Sequence, residues 1–158
     1  MRMLAFIVCQ LIATAAWARS LSPTDVEQRI NQYGAAQAVR ELDSNGDYDV
    51  ILNQIQNGSG QWIGIAPQLA LGADAGAAED LGIALAFALP KNPEAVLSII
   101  DVRDGPVLGV HRVCGVPFIE GSVSDVHPYI TRSLTAVNRV RRPELARVKQ
   151  MCLDALRG

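Results

Sequence analysis

Residues 81–89 read LGIALAFAL and contain no polar side chain. They follow three acidic residues, Asp74, Glu79 and Asp80, and they end before Pro90. Acidic residues suit the first turns of a helix, where the helix dipole favours negative charge, and proline cannot continue a helix. A helix that is apolar on every side must be buried. The run therefore predicts the central helix of an all-α protein, with Asp74 as its N-cap.

Helices are also predicted before this run. Ser22 and Asp25 form a capping box around Pro23, and the helical spacing that follows continues to about Leu42. The polar residues 43–47 predict a turn, and a short helix then ends at the glycine-rich residues 57–60. A further helix is expected from about residue 61 to 71, with Trp62 in the core and Pro67 distorting the helix.

The second half of the chain follows the same logic with one interruption. Asn92 and Pro93 begin a helix that extends to about residue 101. Residues 102–123 are rich in glycine and proline and predict an irregular segment, in which residues 107–113 fit either a short strand or a loose helical turn. Helical spacing returns from Ser124, and Pro143 opens the last helix. The total is about six or seven short helices.

Two arrangements of these helices remain open. Residues 47–71 and 74–101 each read as helix, turn, helix, with turns about 30 residues apart, which fits a short HEAT-like array. The two units share few identical residues, so a compact helical bundle fits equally well.

The N-terminus has the pattern of a signal peptide. Arg2 precedes an apolar stretch over residues 4–17, and Ala16-Trp17-Ala18 supplies the small residues of a cleavage site. A membrane anchor is the alternative, but the stretch is short for a span of roughly 20 residues. We expect cleavage after Ala18, which leaves one exported, periplasmic domain over residues 19–158. No later stretch is long and apolar enough for a membrane span.

Cleavage would leave two cysteines, Cys114 and Cys152. Two cysteines in an exported domain predict one disulfide bond, and two separately buried thiols are the alternative. Cys152 lies on the apolar side of the last helix, so it should face inward.

No set of residues with catalytic or metal-binding spacing is found in the sequence. Asp43, Asn45 and Asp47 resemble the start of an EF-hand loop, but Tyr48 and Gln54 stand where that loop needs glycine and glutamate. The expectation is therefore no enzyme, no metal site and no cofactor. The alternative from another class is an envelope hydrolase assembled only by the fold, and its candidate residues are Glu120, Asp125 and His127.

Charge is distributed unevenly along the chain. Residues 19–128 carry six basic and fourteen acidic side chains, whereas residues 129–158 carry seven basic and two acidic ones. The overall charge of −2 argues against a general nucleic-acid binder. The basic segment predicts a partner-binding patch for another protein or an anionic envelope component. The alternative is a solvated face that pairs with residues 19–128, which we call the acidic body. The patch is formed by Arg132, Arg139, Arg141 and Arg142.

Three sequence features carry a resemblance: Trp62-x3-Ala66-x2-Leu69, then Asp74-Ala75, then ALPKNPEAVL over residues 88–97. Together they resemble a group of small exported proteins of Gram-negative bacteria whose function is unknown. The resemblance implies a periplasmic setting and brings no catalytic residue with it. Export, small size, helical packing, the absence of catalytic residue sets and the uneven charge together favour a non-enzymatic protein-binding module, such as an inhibitor or immunity-type protein, over the hydrolase or a structural envelope component. The sequence does not indicate an oligomeric state.

Overall fold

The structure is a computed structural model that describes residues 21–116, 118 and 125–158. The predicted signal peptide over residues 1–18 lies outside the described residues, as do Glu120 and Ser124.

Ten α-helices form the described part of the chain, which contains no strand beyond an isolated bridge between Asp101 and Gly109. The all-α fold class is thus confirmed. The helices are α1 (Pro23–Tyr33), α2 (Ala35–Ser44), α3 (Asp47–Gln56), α4 (Gly60–Gly64), α5 (Ala66–Ala70), α6 (Ala75–Ala88), α7 (Pro93–Ile99), α8 (Val110–Cys114), α9 (His127–Arg139) and α10 (Ala146–Arg157), with a 3-10 turn at Pro143–Leu145 before α10. They outnumber the expected six or seven because α8 forms within the segment expected to be irregular and two predicted helices are split.

The first split lies at Gly34, so the continuous helix predicted from Ser22 to about Leu42 is wrong. The backbone N–H of Gly34 donates to the carbonyl of Ile30 at 2.8 Å and closes α1. Gly34 has a φ of 81° and a ψ of 152°, a combination that is nearly restricted to glycine. The apolar spacing continues across this residue, which is why the sequence alone suggested one helix.

Replacing Gly34 by alanine should lower the free energy of unfolding by about 1–3 kcal/mol. No atom lies within 4 Å of the position a Cβ would take, so backbone strain alone causes the loss. The matched control is Gly64→Ala in α4, where the site is equally open and φ is not positive. Urea unfolding of both variants tests this, and equal midpoints would contradict it.

The second split separates α4 from α5 near Pro67, as the sequence predicted. Pro67 occupies the second position of α5, where its missing N–H costs no helical hydrogen bond. Trp62, Ile65 and Leu69 are all buried around the break. The prediction that Trp62 belongs to the core is therefore confirmed.

Helix α6 is the centre of the core, as residues 81–89 predicted. The carboxylate of Asp74 accepts a hydrogen bond from the backbone N–H of Ala77 at 3.0 Å and caps the helix. Within residues 81–89 only Ile83 and Phe87 are partly exposed, and all the others are buried. Helices α3, α5, α7 and α8 pack around α6.

Equivalent helices of two successive units pack on each other. Helix α3 packs on α6 and α4 packs on α7. The turns between the paired helices also touch, because the Asn92 side-chain amide donates to the carbonyl of Gly58 at 2.9 Å. These contacts fit the short array over residues 47–71 and 74–101, and the compact packing of the helices fits a bundle as well. Helix α1 packs on α2 at one end, and α8, α9 and α10 cover the other side.

The disulfide between Cys114 and Cys152 is confirmed and joins α8 to α10. Both cysteines are fully buried. Residues 110–114 form α8, so of the two alternatives for residues 107–113 the helical turn is the one observed.

Phe118 packs between Phe87 and Tyr129, with its ring centroid 4.7 Å from that of Phe87 and 4.8 Å from that of Tyr129.

None of the helices over the described residues is both long and apolar enough to cross a lipid bilayer.

Candidate functional site

The basic segment, residues 129–158, folds into most of α9, the 3-10 turn and α10. Its two acidic side chains are already paired within the segment. Glu144 accepts from the guanidinium of Arg142 at 2.6 Å, and Asp154 accepts from that of Arg157 at 3.1 Å. These pairs leave the other five basic side chains of the segment without a carboxylate from their own segment.

No ion pair among the described residues joins the basic segment to the acidic body. Arg29 pairs with Asp47 and Arg103 pairs with Asp101, while the carboxylates of Asp104 and Asp125 each contact a nearby histidine. All of these pairs lie within the acidic body. The internal pairing that a purely structural interpretation of the basic segment requires is therefore not found in the part that the structure describes.

Two of the four predicted arginines make local contacts. Arg142 forms the pair with Glu144, and the guanidinium of Arg141 donates to the carbonyl of Asn138 at 3.1 Å. The ammonium of Lys149 donates to the same carbonyl and to that of Val140, both at 2.9 Å. The last carbonyls of a helix lack partners within the helix and favour nearby cations. Arg141 and Lys149 thus cap the C-terminus of α9.

The other two, Arg132 and Arg139, are exposed and form no hydrogen bond or ion pair with another described residue. Ala136 lies between them on the same face of α9, since residues spaced by three, four or seven share a helix face. The two arginines are two turns apart, roughly 10.5 Å along the helix axis. The structure therefore separates the predicted patch into Arg141, which caps α9, Arg142, which pairs with Glu144, and two arginines that contact neither a carboxylate nor a carbonyl among the described residues.

A groove of about 250 Å³ lies beside this face, between α7 and α9. Buried Val140 and the partly buried Ala136 and Pro93 give it an apolar floor. Arg139 lines the α9 side, and Lys91 and Glu94 line the α7 side. We name Arg132, Ala136, Arg139 and this groove the α9 surface. Sequence reasoning missed Lys91 and Glu94, because only the packing of α7 on α9 brings them here.

Two of the three hydrolase candidates, Asp125 and His127, are exposed at the surface. Asp125 accepts hydrogen bonds from the backbone N–H and the ring Nδ1 of His127, both at 2.9 Å, and these bonds lower the pKa of Asp125. The side chains of Asp125 and His127 are 59 and 89% exposed, so they line no deep cleft. Glu120 lies outside the described residues. Asp125 and His127 form a solvated local contact at the start of α9.

The loop that resembles an EF-hand is closed by its own side chains. Asn45 accepts from the backbone N–H of Asp47 at 2.9 Å, and its amide donates to the Asp47 carboxylate at 3.1 Å. This is an Asx turn, which connects α2 to α3. Within the described ranges, no three His, Cys, Asp or Glu side chains are grouped to hold a metal ion.

Asp104 anchors the start of α8. Its carboxylate accepts from the backbone N–H of His111 at 3.0 Å and contacts the ring Nδ1 of His111 at 2.7 Å. These contacts lower the pKa of Asp104 below its ordinary value. They hold residues 104–111 together on the surface.

Replacing Asp104 by asparagine should destabilise the protein at neutral pH but not in strong acid. A carboxyl whose pKa is lowered by folding stabilises the fold above its ordinary pKa, and the contribution is lost as the pH falls through the folded value. We expect the melting temperature of Asp104→Asn to lie below that of the wild type at pH 7 and to match it near pH 2. A difference that persists unchanged in acid would contradict the role of this carboxylate.

No family model, no curated protein and no solved structure matches the chain.

Proposed function

We propose that the protein is a non-enzymatic, periplasmic protein-binding module of the inhibitor or immunity type, and that it binds an acidic partner through the α9 surface. The observation that carries the proposal is the state of Arg132 and Arg139. Neither side chain pairs with another residue that the structure describes, although the chain has more acidic than basic side chains. Their charge is thus available to another molecule.

The chemistry of the α9 surface favours a protein over a simple anion. Arginine binds carboxylates through two parallel hydrogen bonds and is enriched among the residues that dominate protein interfaces. The groove beside Arg139 has an apolar floor of Val140, Ala136 and Pro93. An apolar floor beside free guanidinium groups suits a side chain flanked by carboxylates.

The disulfide supports the export part of the proposal. Disulfide bonds persist in oxidising compartments such as the bacterial periplasm and are rare in the cytosol. Cys114 and Cys152 are bonded and fully buried. The predicted signal peptide also indicates export, and it involves other residues of the chain.

Charge reversal at the two free arginines tests the proposal. The wild-type mature chain, R132E/R139E and the control R40E/R147E are immobilised and exposed to periplasmic extract, and bound proteins are quantified by mass spectrometry. Arg40 and Arg147 are also exposed, so the control changes the net charge equally. We expect a partner that the wild type and the control retain and that R132E/R139E loses at least tenfold. A partner retained equally by all three would refute the role of the α9 surface.

A further inference from the structure

We infer that the α9 surface binds an acidic α-helix of the partner, which carries two carboxylates seven residues apart and an apolar side chain between them. The inference rests on the proposed function and specifies the partner's chemistry. It is carried by the spacing of the free arginines, by the small residue between them and by the apolar groove at their side.

The spacing of Arg132 and Arg139 selects a helical partner. The two residues are separated by roughly 10.5 Å along α9. A second helix lying along α9 presents carboxylates at the same separation when they are seven residues apart, and such residues share one helix face. Residues on one face of an extended strand repeat at about 6.6 Å and again at about 13 Å. An extended segment therefore matches the rise between these two positions of α9 less well.

Ala136 lets the partner approach closely. It lies between the arginines and lines the groove, and its side chain is a single methyl group. Helices pack at 8–10 Å between their axes, with the separation set by the side chains at the contact. A small residue at the centre of the α9 surface favours the short end of that range. The partner's carboxylates would then reach the guanidinium groups on either side.

The groove accounts for the apolar side chain. Its volume of about 250 Å³ and its floor of Val140, Ala136 and Pro93 suit one large apolar side chain. In a helix whose carboxylates are seven residues apart, the residue three or four positions after the first carboxylate lies between them on the same face. That position would enter the groove. Burial of such an anchor between charged contacts is the usual arrangement at the centre of an interface.

Glu94 limits where the partner's negative charge lies. It is exposed in the first turn of α7 and lines the side of the groove opposite Arg139. A carboxylate placed near α7 would be repelled by Glu94 and would find the ammonium of Lys91 already bonded to the carbonyl of Gln56, whereas one placed over α9 meets Arg132 and Arg139. Removing the charge with Glu94→Gln should therefore tighten the binding of an acidic helix about two- to fivefold, on the scale of an exposed charge pair.

Two synthetic peptides of about 20 residues, long enough to be helical in water, provide the test. The matched peptide has Glu at i and i+7 and Leu at i+4, and the permuted peptide has the same composition with Glu at i and i+5. Each is titrated into the mature, disulfide-bonded protein and followed by NMR. We expect at least tenfold tighter binding of the matched peptide, with shifts confined to α7 and α9, and at least tenfold loss in R132E/R139E.

Ala136→Leu separates the helix inference from the proposed function. The variant keeps both arginines and fills the centre of the α9 surface, so we expect at least tenfold weaker binding of the matched peptide. Ala136→Ser, which is nearly the same size, should bind as the wild type does, and thermal unfolding checks that both variants are folded. Equal binding of the two peptides, or none, overturns the helix inference. If the partner captured from periplasm still requires Arg132 and Arg139 in that case, the proposed function stands. If the partner does not require them, both fail.

Discussion

Replacing Cys114 and Cys152 together by alanine will lower the free energy of unfolding by about 4 kcal/mol. The bond joins residues 38 positions apart, so it removes much of the conformational freedom of the unfolded chain. A loss of this size is a large fraction of the 5–15 kcal/mol that stabilises a typical domain. The double variant should therefore unfold at a much lower urea concentration.

The position of the bond adds to its effect. Helix α8 has only five residues, and a helix this short has no stability of its own in water. It packs on α6 and α10, and the disulfide fixes it to α10. Loss of the bond should loosen α8 first, before the rest of the core unfolds.

Urea unfolding of three samples measures this prediction: the oxidised wild type, the wild type with reductant, and the double variant. The reduced wild type and the variant should have midpoints close to each other and far below that of the oxidised wild type. If the reduced wild type unfolds at the same midpoint as the oxidised protein, the bond contributes little and the prediction is wrong.

Replacing Leu85 by alanine will cost about 2–5 kcal/mol, the range found for leucine residues in protein cores. Leu85 lies in the middle of α6 and is fully buried. The loss has two parts, the transfer of the removed methyl and methylene groups and the cavity that they leave behind. Because α6 is surrounded by four helices, the neighbouring side chains can fill that cavity only partly.

Leu71→Ala is the matched control. Leu71 follows α5, and 83% of its surface is exposed, so the same substitution there should change stability by less than about 0.5 kcal/mol. Thermal and urea unfolding of both variants give the comparison. A cost at Leu85 no larger than at Leu71 would mean that α6 is not the centre of the core.

Local signals in the sequence were sufficient for much of the fold. The N-caps at Ser22, Asp74 and Asn92 are all formed, because each depends on a side chain and a backbone N–H only three residues apart. The break at Gly34 was missed because it involves a backbone conformation that leaves the apolar spacing unchanged. A Cβ on Gly72 would lie 2.2 Å from the backbone of Ala35, a close approach between distant residues that no local pattern reveals.

The sequence predicted only part of the candidate site. The sequence shows the excess of positive charge over residues 129–158. It does not show which arginine caps α9, which pairs with Glu144 and which have no such contact, because this depends on where Asn138, Glu144 and Lys149 lie in space. The groove depends on the contact between α7, which ends at Ile99, and α9, which begins only at His127. The disulfide could be predicted from the sequence, because cleavage after Ala18 would remove Cys9 and leave two cysteines with one possible pairing.

The same bond also encloses α9 in a covalent ring. Residues 114–152 form a covalently closed ring once the two sulfurs are joined, and the whole of α9 lies inside this ring. A newly made chain that has not been oxidised holds α9 by packing alone. Reduction of the bond would open this ring and remove one constraint on the position of α9 relative to α8 and α10.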